Sequence, residues 1–162
     1  MSEATLEKQG TSLLQLATFR LGSEEYAVDI ASVQEIVRMT AVTRVPRAPS
    51  FVEGVVNLRG KIVPVIDLRK RFGMATVEAT KATRIIIVEV SGKTVGLIVD
   101  AVREVLRLAS DAIDPTPEMV SSAIDAAFFK GVGKLEDRLI ILLDLTRLLT
   151  LDEVAALGND AD

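Results

Sequence analysis

The sequence contains no cysteine, no histidine and no tryptophan. Without cysteine, the chain can form neither a disulfide framework nor a thiolate zinc site. Without histidine, it lacks the side chain that proteins use most often as a general base and as a metal ligand. These absences argue against an enzyme, and we expect the protein to need no metal and no cofactor.

The sequence also lacks long apolar runs and a strong excess of charge. No run reaches the ~20 apolar residues that a membrane-spanning helix needs, and the polar N-terminus is unlike a signal peptide. The net charge is −4, from 19 basic and 23 acidic residues, so the chain is not typical of a general polyanion binder. We therefore expect a soluble cytoplasmic protein that does not insert into a membrane.

One local basic cluster is present, formed by Arg38, Arg44, Arg47 and the run 69–71. Small β-barrels with basic patches are typical of oligonucleotide binding. Aromatic residues, however, make up only 4% of the chain, which leaves no platform on which bases could stack. We interpret the cluster as a solvated surface and expect no nucleic-acid partner.

The chain contains an internal duplication. Residues 54–73 align without gaps on residues 131–150, and residues 19–38 align without gaps on residues 88–107. The two offsets are 77 and 69 positions, and the order of segments is the same in both halves. A repeat of this kind indicates that one supersecondary unit is used twice.

Each half predicts about five short strands and one helical turn, a pattern that favours a small closed barrel. In the first half, two strands meet at Arg59-Gly60-Lys61, and Asp67 caps a helical turn that ends at Gly73. Asp144 occupies the same position in the second half, so we interpret both carboxylates as caps rather than as a catalytic pair. Ser50 is expected to cap a short helix over 51–53. Two more helices are expected over 119–129 and 151–157.

The predicted fold is therefore mainly β, with two five-stranded barrels packed side by side. The first barrel is expected over about 14–73 and the second over about 83–150, with some exchange of strands between them possible. Short helical turns and a C-terminal helix complete the fold. The segments 1–12 and 158–162 are expected to be flexible tails.

Arg59 differs from its partner in the repeat more than a purely structural residue should. It lies at the tip of a predicted hairpin, whereas the corresponding position of the second half is Glu136. The charge is thus reversed between the copies. This reversal indicates a surface role that only the first copy has.

The chain resembles the CheW family of chemotaxis coupling proteins over about residues 13–157. The most specific segment is EGVVNLRGKIVPVIDLRKRF, residues 53–72. Three further segments support the resemblance in the right order, namely EEYAVDIASVQEIV (24–37), TVGLIVDAVREVL (94–106) and GKLEDRLIILLDLTRLL (133–149). The resemblance implies two SH3-like five-stranded barrels, in agreement with the duplication.

The resemblance also implies a function, that of a non-enzymatic adaptor. Such proteins couple methyl-accepting chemotaxis receptors to the histidine kinase CheA, and they join rings with the kinase regulatory domain and with other copies of themselves. By family likeness, the receptor-binding residues are Val33, Glu35, Arg59, Gly96, Val102 and Val105. One kinase surface is expected on the first barrel, and the other on the second barrel around Asp114 and Met119. The protein is expected in the cytoplasm, recruited to membrane receptor arrays.

Two alternatives remain open from the sequence. The chain could be a CheW-like regulatory domain of a larger signalling protein, although Met1 and the two-barrel length favour a stand-alone chain. The other alternative is a small barrel that binds nucleic acid, which would show binding that weakens steeply with salt.

Overall fold

The protein is built mainly from β-strands. The computed structural model describes residues 12–114 and 128–148. The strands are β1 (Leu13–Leu21), β2 (Glu24–Asp29), β3 (Val33–Arg38), β4 (Val52–Leu58), β5 (Lys61–Asp67), β6 (Arg84–Val90), β7 (Lys93–Val99), β8 (Ala101–Ala109), β9 (Ile113–Asp114), β10 (Phe129–Leu135) and β11 (Arg138–Leu143). Two short helices follow the long hairpins: α1 (Leu68–Arg71) and α2 (Leu145–Leu148). The predicted mainly β fold is confirmed.

The strands form two sheets that do not follow the two halves of the sequence. One sheet has six strands in the order β8-β1-β2-β11-β10-β9, and the other has five in the order β3-β6-β7-β5-β4. The exchange of strands that the predicted division at about 14–73 and 83–150 left open therefore takes place. The first hairpin of each half, β1–β2 or β6–β7, completes the sheet of the other half.

The exchange is reciprocal, and its register repeats the sequence offsets. In the parallel pairing of β5 with β7, Val65 lies opposite Gly96. In the parallel pairing of β11 with β2, the repeat-equivalent residues Leu142 and Ala27 lie opposite each other. Even the irregularities correspond, because a bulge interrupts the β3–β6 ladder after Val33 and the β1–β8 ladder at the equivalent place. The duplication predicted from the sequence is thus present in the topology.

Each sheet closes on itself into a small barrel. Strand β8 leads through the 3₁₀ turn Ser110–Ala112 into β9, where Asp114 pairs with Val132 of β10. In the five-stranded sheet the equivalent closure is the single bridge between Thr43 and Val55. We refer to the five-stranded sheet as the first barrel and to the six-stranded sheet as the second barrel.

Three apolar clusters hold the fold together. The largest, which we name the central core, contains buried residues of both barrels and of both helices, among them Phe19, Tyr26, Ile86 and Leu148. A second cluster fills the interior of the second barrel, and a third fills the interior of the first. The largest core therefore lies between the barrels and not inside either of them.

This arrangement explains why several strands have no polar face. In β6, Ile85 and Ile87 belong to the interior of the first barrel, whereas Ile86 and Val88 belong to the central core. Successive side chains of a strand point to opposite faces. A strand that separates two cores must therefore be apolar at every position, as the run RIIIV is.

Repeat-equivalent residues meet near the C-terminal ends of the two helices. The Arg71 guanidinium lies over the rings of Phe51 and Phe128, with its central carbon 4.1 Å and 4.8 Å from their centroids. Its Nε also donates a hydrogen bond of 3.0 Å to the carbonyl oxygen of Leu148. The offset of 77 relates Phe51 to Phe128 and Arg71 to Leu148. These contacts therefore mark the local two-fold relation between the halves.

The short helices match their sequence signals in part. The carboxylate of Asp67 accepts a hydrogen bond from the backbone N–H of Arg69 at 2.9 Å, and Asp144 accepts from Arg147 at 3.3 Å, so both predicted caps are confirmed. Ser50 does not cap a helix, because β4 begins at Val52 and pairs with β5. The expected helix over 151–157 and most of that over 119–129 lie outside the described residues.

An ion pair links three segments at one end of the molecule. Arg69 in α1 donates to Asp100 in the β7–β8 turn, with Nε–Oδ1 at 2.9 Å and Nη2–Oδ2 at 2.5 Å. Asp100 also accepts from the backbone N–H of Gly22 in the β1–β2 turn at 2.7 Å. The hydrogen bonds from Arg69 are the main reason why the pKa of Asp100 lies below its usual value. Because Gly22 belongs to the second barrel and Arg69 to the first, this pair ties the two barrels together.

A glycine is required in the middle of β7. Gly96 is buried between β6 and β5, and a Cβ atom there would lie 2.7 Å from Cγ2 of Ile85. The equivalent position of the second barrel is Ala27, which faces Leu16 in place of Ile85. A leucine carries no methyl group on its Cβ, so the second barrel has room for the alanine.

We expect Asp100→Asn to lower the free energy of unfolding at pH 7 by about 1–3 kcal/mol, because charge-assisted hydrogen bonds are lost. The contribution of Asp100 is complete above its unfolded pKa of about 3.9 and disappears as the pH falls through the lower folded value. The difference from the unmutated protein should therefore shrink in acid. Urea unfolding at several pH values measures it. The exposed Asp111→Asn serves as the control for loss of one negative charge, and an equal effect of both substitutions would contradict the role of the ion pair.

We expect Gly96→Ala to destabilise the protein by about 1–3 kcal/mol through overpacking. The double variant Gly96→Ala, Ile85→Leu reproduces the pairing that the second barrel uses, so it should recover part of the loss. Chemical unfolding of both variants and of Ile85→Leu alone gives the coupling between the two positions. Additive effects would show that Ile85 is not the side chain that excludes the alanine.

Candidate functional site

The hairpin between β4 and β5 raises Arg59 above the first barrel. Arg59 and Gly60 form a two-residue turn with φ angles of 52° and 86°, the backbone of a type I′ turn. The N–H of Gly60 donates a 2.8 Å hydrogen bond to the side-chain oxygen of Asn57, which fixes the turn from within. The Arg59 side chain is 74% exposed. The tip is therefore rigid, and its guanidinium is accessible.

Arg59 is paired with Glu35 of β3. Its Nη2 donates a hydrogen bond to Oε2 of Glu35, and this bond raises the pKa of the arginine above its usual value. Glu35 stands next to the bulge in the β3–β6 ladder, which separates it from Val33. The structure thus brings together two of the predicted receptor-binding residues from distant parts of the chain. It also assigns Arg59 an intramolecular partner that the sequence did not reveal.

The equivalent place in the second barrel is built differently. Its turn carries Glu136, which also has a positive φ, of 56°. The carboxylate equivalent to Glu35 is Glu104, and it is paired with Nη1 of Arg138 in β11 at 2.9 Å. Arg138 in turn donates two hydrogen bonds to Glu25 of β2. The second barrel therefore neutralises its carboxylate within the sheet and leaves its turn acidic, so the predicted copy-specific surface of Arg59 has a structural basis.

The predicted valines lie along two repeat-equivalent edge strands. Val33 in β3 and Val102 in β8 are half-buried and pack against the central core. Val105 in β8 is 57% exposed. Both strands lie at the edge of their sheet, so these residues border the central core from two sides.

The sequence interpretation missed Ile36, which is equivalent to Val105 at the offset of 69 and is 41% exposed. Ile36 lies opposite Ile86, and Val105 lies opposite Ala17. Ile86 and Ala17 both belong to the central core, and directly opposed residues share one face of a sheet. Ile36 and Val105 therefore extend the central core to the surface. The repeat offset alone could have predicted Ile36 once Val105 was chosen.

Gly96 lies apart from this surface, and its assignment as a receptor contact stays a prediction. It is buried in the central strand of the first barrel, away from both edge strands. Its lack of a side chain is explained by the packing of Ile85.

The predicted kinase contacts are only partly described. Asp114 is exposed at the end of β9, which forms the edge of the six-stranded sheet opposite to β8. It pairs with Val132 of β10 and lies on a strand of two residues. Met119 lies outside the described residues.

The basic cluster seen in the sequence is dispersed by the fold. Arg69 pairs with Asp100, Lys70 pairs with Glu53, and Arg71 lies between two phenylalanine rings. Three of its cations are thus used for internal contacts and do not form a continuous basic face for a phosphate backbone.

Within residues 12–114 and 128–148, no group of three or more acidic side chains lies close enough to hold a metal ion. No helix in these ranges is long and apolar enough to span a membrane.

Comparison with known proteins identifies the family. The model of the CheW-like domain matches residues 15–153. Chemotaxis protein CheW of Klebsiella aerogenes is 41% identical over 143 residues, which cover 88% of this chain and 86% of the relative. Chemotaxis protein CheW of Helicobacter pylori is 36% identical, with coverage of 93% and 90%.

A solved structure agrees with these matches in fold. The crystal structure of the scaffolding protein TtCheW from Thermoanaerobacter tengcongensis is 44% identical and superposes with a TM-score of 0.79, covering 86% of this chain and 90% of that one. The two-barrel fold and the expectation of an adaptor rather than an enzyme are confirmed at the level of the family. The chain belongs to the CheW family of chemotaxis proteins.

Proposed function

We propose that the protein is a non-enzymatic adaptor that couples methyl-accepting chemotaxis receptors to the histidine kinase CheA. Membership of the CheW family over nearly the whole chain is the observation that carries this proposal. The protein would act in the cytoplasm, where receptor arrays recruit it. Contacts with the kinase regulatory domain and with further copies of the chain would extend the array.

The receptor would bind where the central core reaches the surface. Val33 and Val102 supply a half-buried apolar floor, and the exposed Ile36 and Val105 widen it. Apolar side chains that are exposed at equivalent positions of both edge strands do not stabilise a monomer. They would stabilise a complex in which a partner buries them. The cytoplasmic tip of such a receptor is a helical hairpin, and an amphipathic helix binds to an apolar groove through side chains spaced along one of its faces.

Arg59 and Glu35 would give this surface its polar specificity. A guanidinium carries five N–H donors, and one of them is engaged by Glu35. The remaining donors are available to a carboxylate or a backbone carbonyl at a receptor tip. Because the type I′ turn and the ion pair hold Arg59 in place before binding, little conformational entropy is lost when a partner docks.

The kinase would use two other surfaces. One lies on the first barrel. The other lies on the second barrel around Asp114 and would include Met119, which follows a few residues later in the chain. Asp114 is exposed on a two-residue edge strand. It lies beyond the C-terminal end of β8, on the far side of the 3₁₀ turn from Val102 and Val105.

Two alternative functions have less support from the structure. A nucleic-acid-binding barrel is disfavoured because Arg69, Lys70 and Arg71 are engaged within the protein. A CheW-like domain of a larger signalling protein would keep the same surfaces, so it changes the context of the proposal and not its chemistry.

For the receptor site, we expect Val33→Asp or Arg59→Ala to abolish binding to a receptor signalling fragment. An aspartate would place a charge on the apolar floor, and the alanine would remove the donors at its rim. Affinity for the kinase regulatory domain should stay close to the unmutated value. The thermal unfolding midpoint should be unchanged in Arg59→Ala and lower in Val33→Asp, because Val33 packs against the central core. Isothermal titration of each folded variant against both partners measures this.

Glu136→Ala is the matched control for the receptor experiment, because Glu136 holds the same turn position in the second copy. It should leave receptor affinity unchanged. If both Val33→Asp and Arg59→Ala bind the receptor fragment normally, the proposed receptor surface is wrong even though the family is established.

For the kinase site, we expect Asp114→Lys to weaken binding of the kinase regulatory domain and to leave receptor binding intact. Charge reversal on an exposed strand should affect recognition more than stability. Asp111→Lys, on the neighbouring turn, is the control. Equal affinities of the two variants for the kinase domain would exclude Asp114 from the contact.

A further inference from the structure

The first barrel carries a basic pocket that contains none of the residues proposed above to bind the receptor or the kinase. It has a volume of about 400 Å³ and is open to solvent on one side. Its lining consists of three cationic side chains, two threonines and a methionine: Arg38, Lys81, Arg84, Thr80, Thr83 and Met39. Among the described residues, no carboxylate and no aromatic ring lines it, although Met39 and Thr83 also line a neighbouring pocket that contains Glu53 and Glu78.

Two of the cations face each other across a strand pair. Arg38 at the end of β3 lies directly opposite Arg84 at the start of β6. Like charges at directly opposed positions of an antiparallel pair are destabilising. Within the described ranges neither arginine pairs with a carboxylate, and Lys81 has no such partner either. The sheet therefore maintains a concentration of positive charge that nothing in the described chain neutralises.

The second barrel shows how the same position is built without this conflict. The residue equivalent to Arg38 is Arg107, and it lies opposite Gln15, not a second arginine. With its amide oxygen turned toward the guanidinium, Gln15 accepts hydrogen bonds from Nε at 3.2 Å and from Nη2 at 3.3 Å. The repulsive pair is thus specific to the first copy and is not a requirement of the fold.

A buried hydroxyl adds a donor to the pocket. Thr83 is only 7% exposed and lines the pocket. Its oxygen accepts a 2.8 Å hydrogen bond from the N–H of Thr80, while its hydroxyl hydrogen has no acceptor in the described parts of the chain. A buried donor without a partner costs stability unless a ligand or water accepts from it.

The loop that carries these groups is held in place by its own hydrogen bonds. Nη1 of Arg84 donates to the carbonyl oxygens of Lys81 and Thr83 at 2.8 Å and 2.9 Å. The Thr80 hydroxyl oxygen accepts from the N–H of Ala82 at 3.1 Å. The other guanidinium donors of Arg84 make no hydrogen bond within residues 12–114 and 128–148, so they are available at a fixed place.

We propose that this pocket is a binding site for a phosphate-type oxyanion. The guanidinium groups of Arg38 and Arg84 can each donate two hydrogen bonds to the oxygens of such an anion. The ammonium group of Lys81 and the hydroxyl of Thr83 supply further donors. The absence of aromatic lining means that the site recognises the phosphate group itself and offers no stacking surface for a base. The anion would neutralise the Arg38–Arg84 repulsion, so binding should also stabilise the fold.

The first experiment follows backbone amide signals by NMR while the full chain is titrated with inorganic phosphate and then with pyrophosphate at constant ionic strength. We expect saturable shifts centred on Thr80 to Arg84. Arg38→Gln should weaken binding by about tenfold or more, the loss expected for charge-assisted hydrogen bonds. Arg44→Gln removes the same charge from an exposed residue outside the pocket and should bind as the unmutated protein does.

The second experiment uses Arg84→Gln, which gives the first barrel the residue pair of the second. Without phosphate, Arg84→Gln loses the repulsion but also the hydrogen bonds to the carbonyl oxygens of Lys81 and Thr83. Arg38→Gln removes only the repulsion, so its thermal midpoint should equal or exceed that of the unmutated protein. With phosphate, the unmutated protein should gain stability and Arg84→Gln should not. Phosphate also stabilises proteins generally by exclusion from their surface. An equal gain in the unmutated protein, Arg38→Gln and Arg84→Gln would therefore overturn the proposal.

A third titration, with ATP, distinguishes the sources of the phosphate group. Affinity equal to that of pyrophosphate supports recognition of the phosphate group alone. Much tighter binding of ATP supports a nucleotide as the natural source. Shifts that do not saturate with any of the three anions, or that persist unchanged in Arg38→Gln, would overturn the site.

Discussion

The structure depends on one constraint: neither half of the sequence completes a barrel from its own strands. The hairpin β1–β2 lies between β8 and β11 in the six-stranded sheet. The hairpin β6–β7 lies between β3 and β5 in the five-stranded sheet. The exchanged hairpins also present their second faces to the central core. The same hairpins therefore close the barrels and pack them together. We expect the two halves to unfold together and not as independent domains.

The two halves of the sequence share the same fold but differ at several charged positions. Arg59 corresponds to Glu136, and Arg69, Asp100 and Arg84 correspond to Thr146, Ala31 and Gln15. The strand register is the same around Arg59 and Glu136 and at Arg84 and Gln15. The copies thus share a fold and differ in the electrostatics of their surfaces. An adaptor that must present different surfaces to different partners needs such a difference, because two identical barrels would offer each partner two equivalent sites.

Much of the fold could be predicted from the sequence, because turns, helix caps and repeats leave local or periodic patterns in it. The repeat offsets predicted the number of strands, the turn at Arg59-Gly60 and the caps at Asp67 and Asp144. The exchange of hairpins could not be derived from these signals, since both pairings bury the same apolar faces. Ser50 was misread because a cap signal was weighed without the long-range pairing of Val52 with Ile66. Gly96 was assigned to the surface by family likeness, but only the position of Ile85 reveals why it is glycine.

The central core also has a consequence for how the proposed adaptor would transmit a signal. Val33 and Val102 lie on different barrels and pack against the same cluster, and Arg69 ties the β1–β2 and β7–β8 turns to α1. A densely packed core resists small relative displacements of the elements around it. Partners bound to different barrels would then be held at a fixed spacing. The adaptor would act by setting the spacing of its partners within an array.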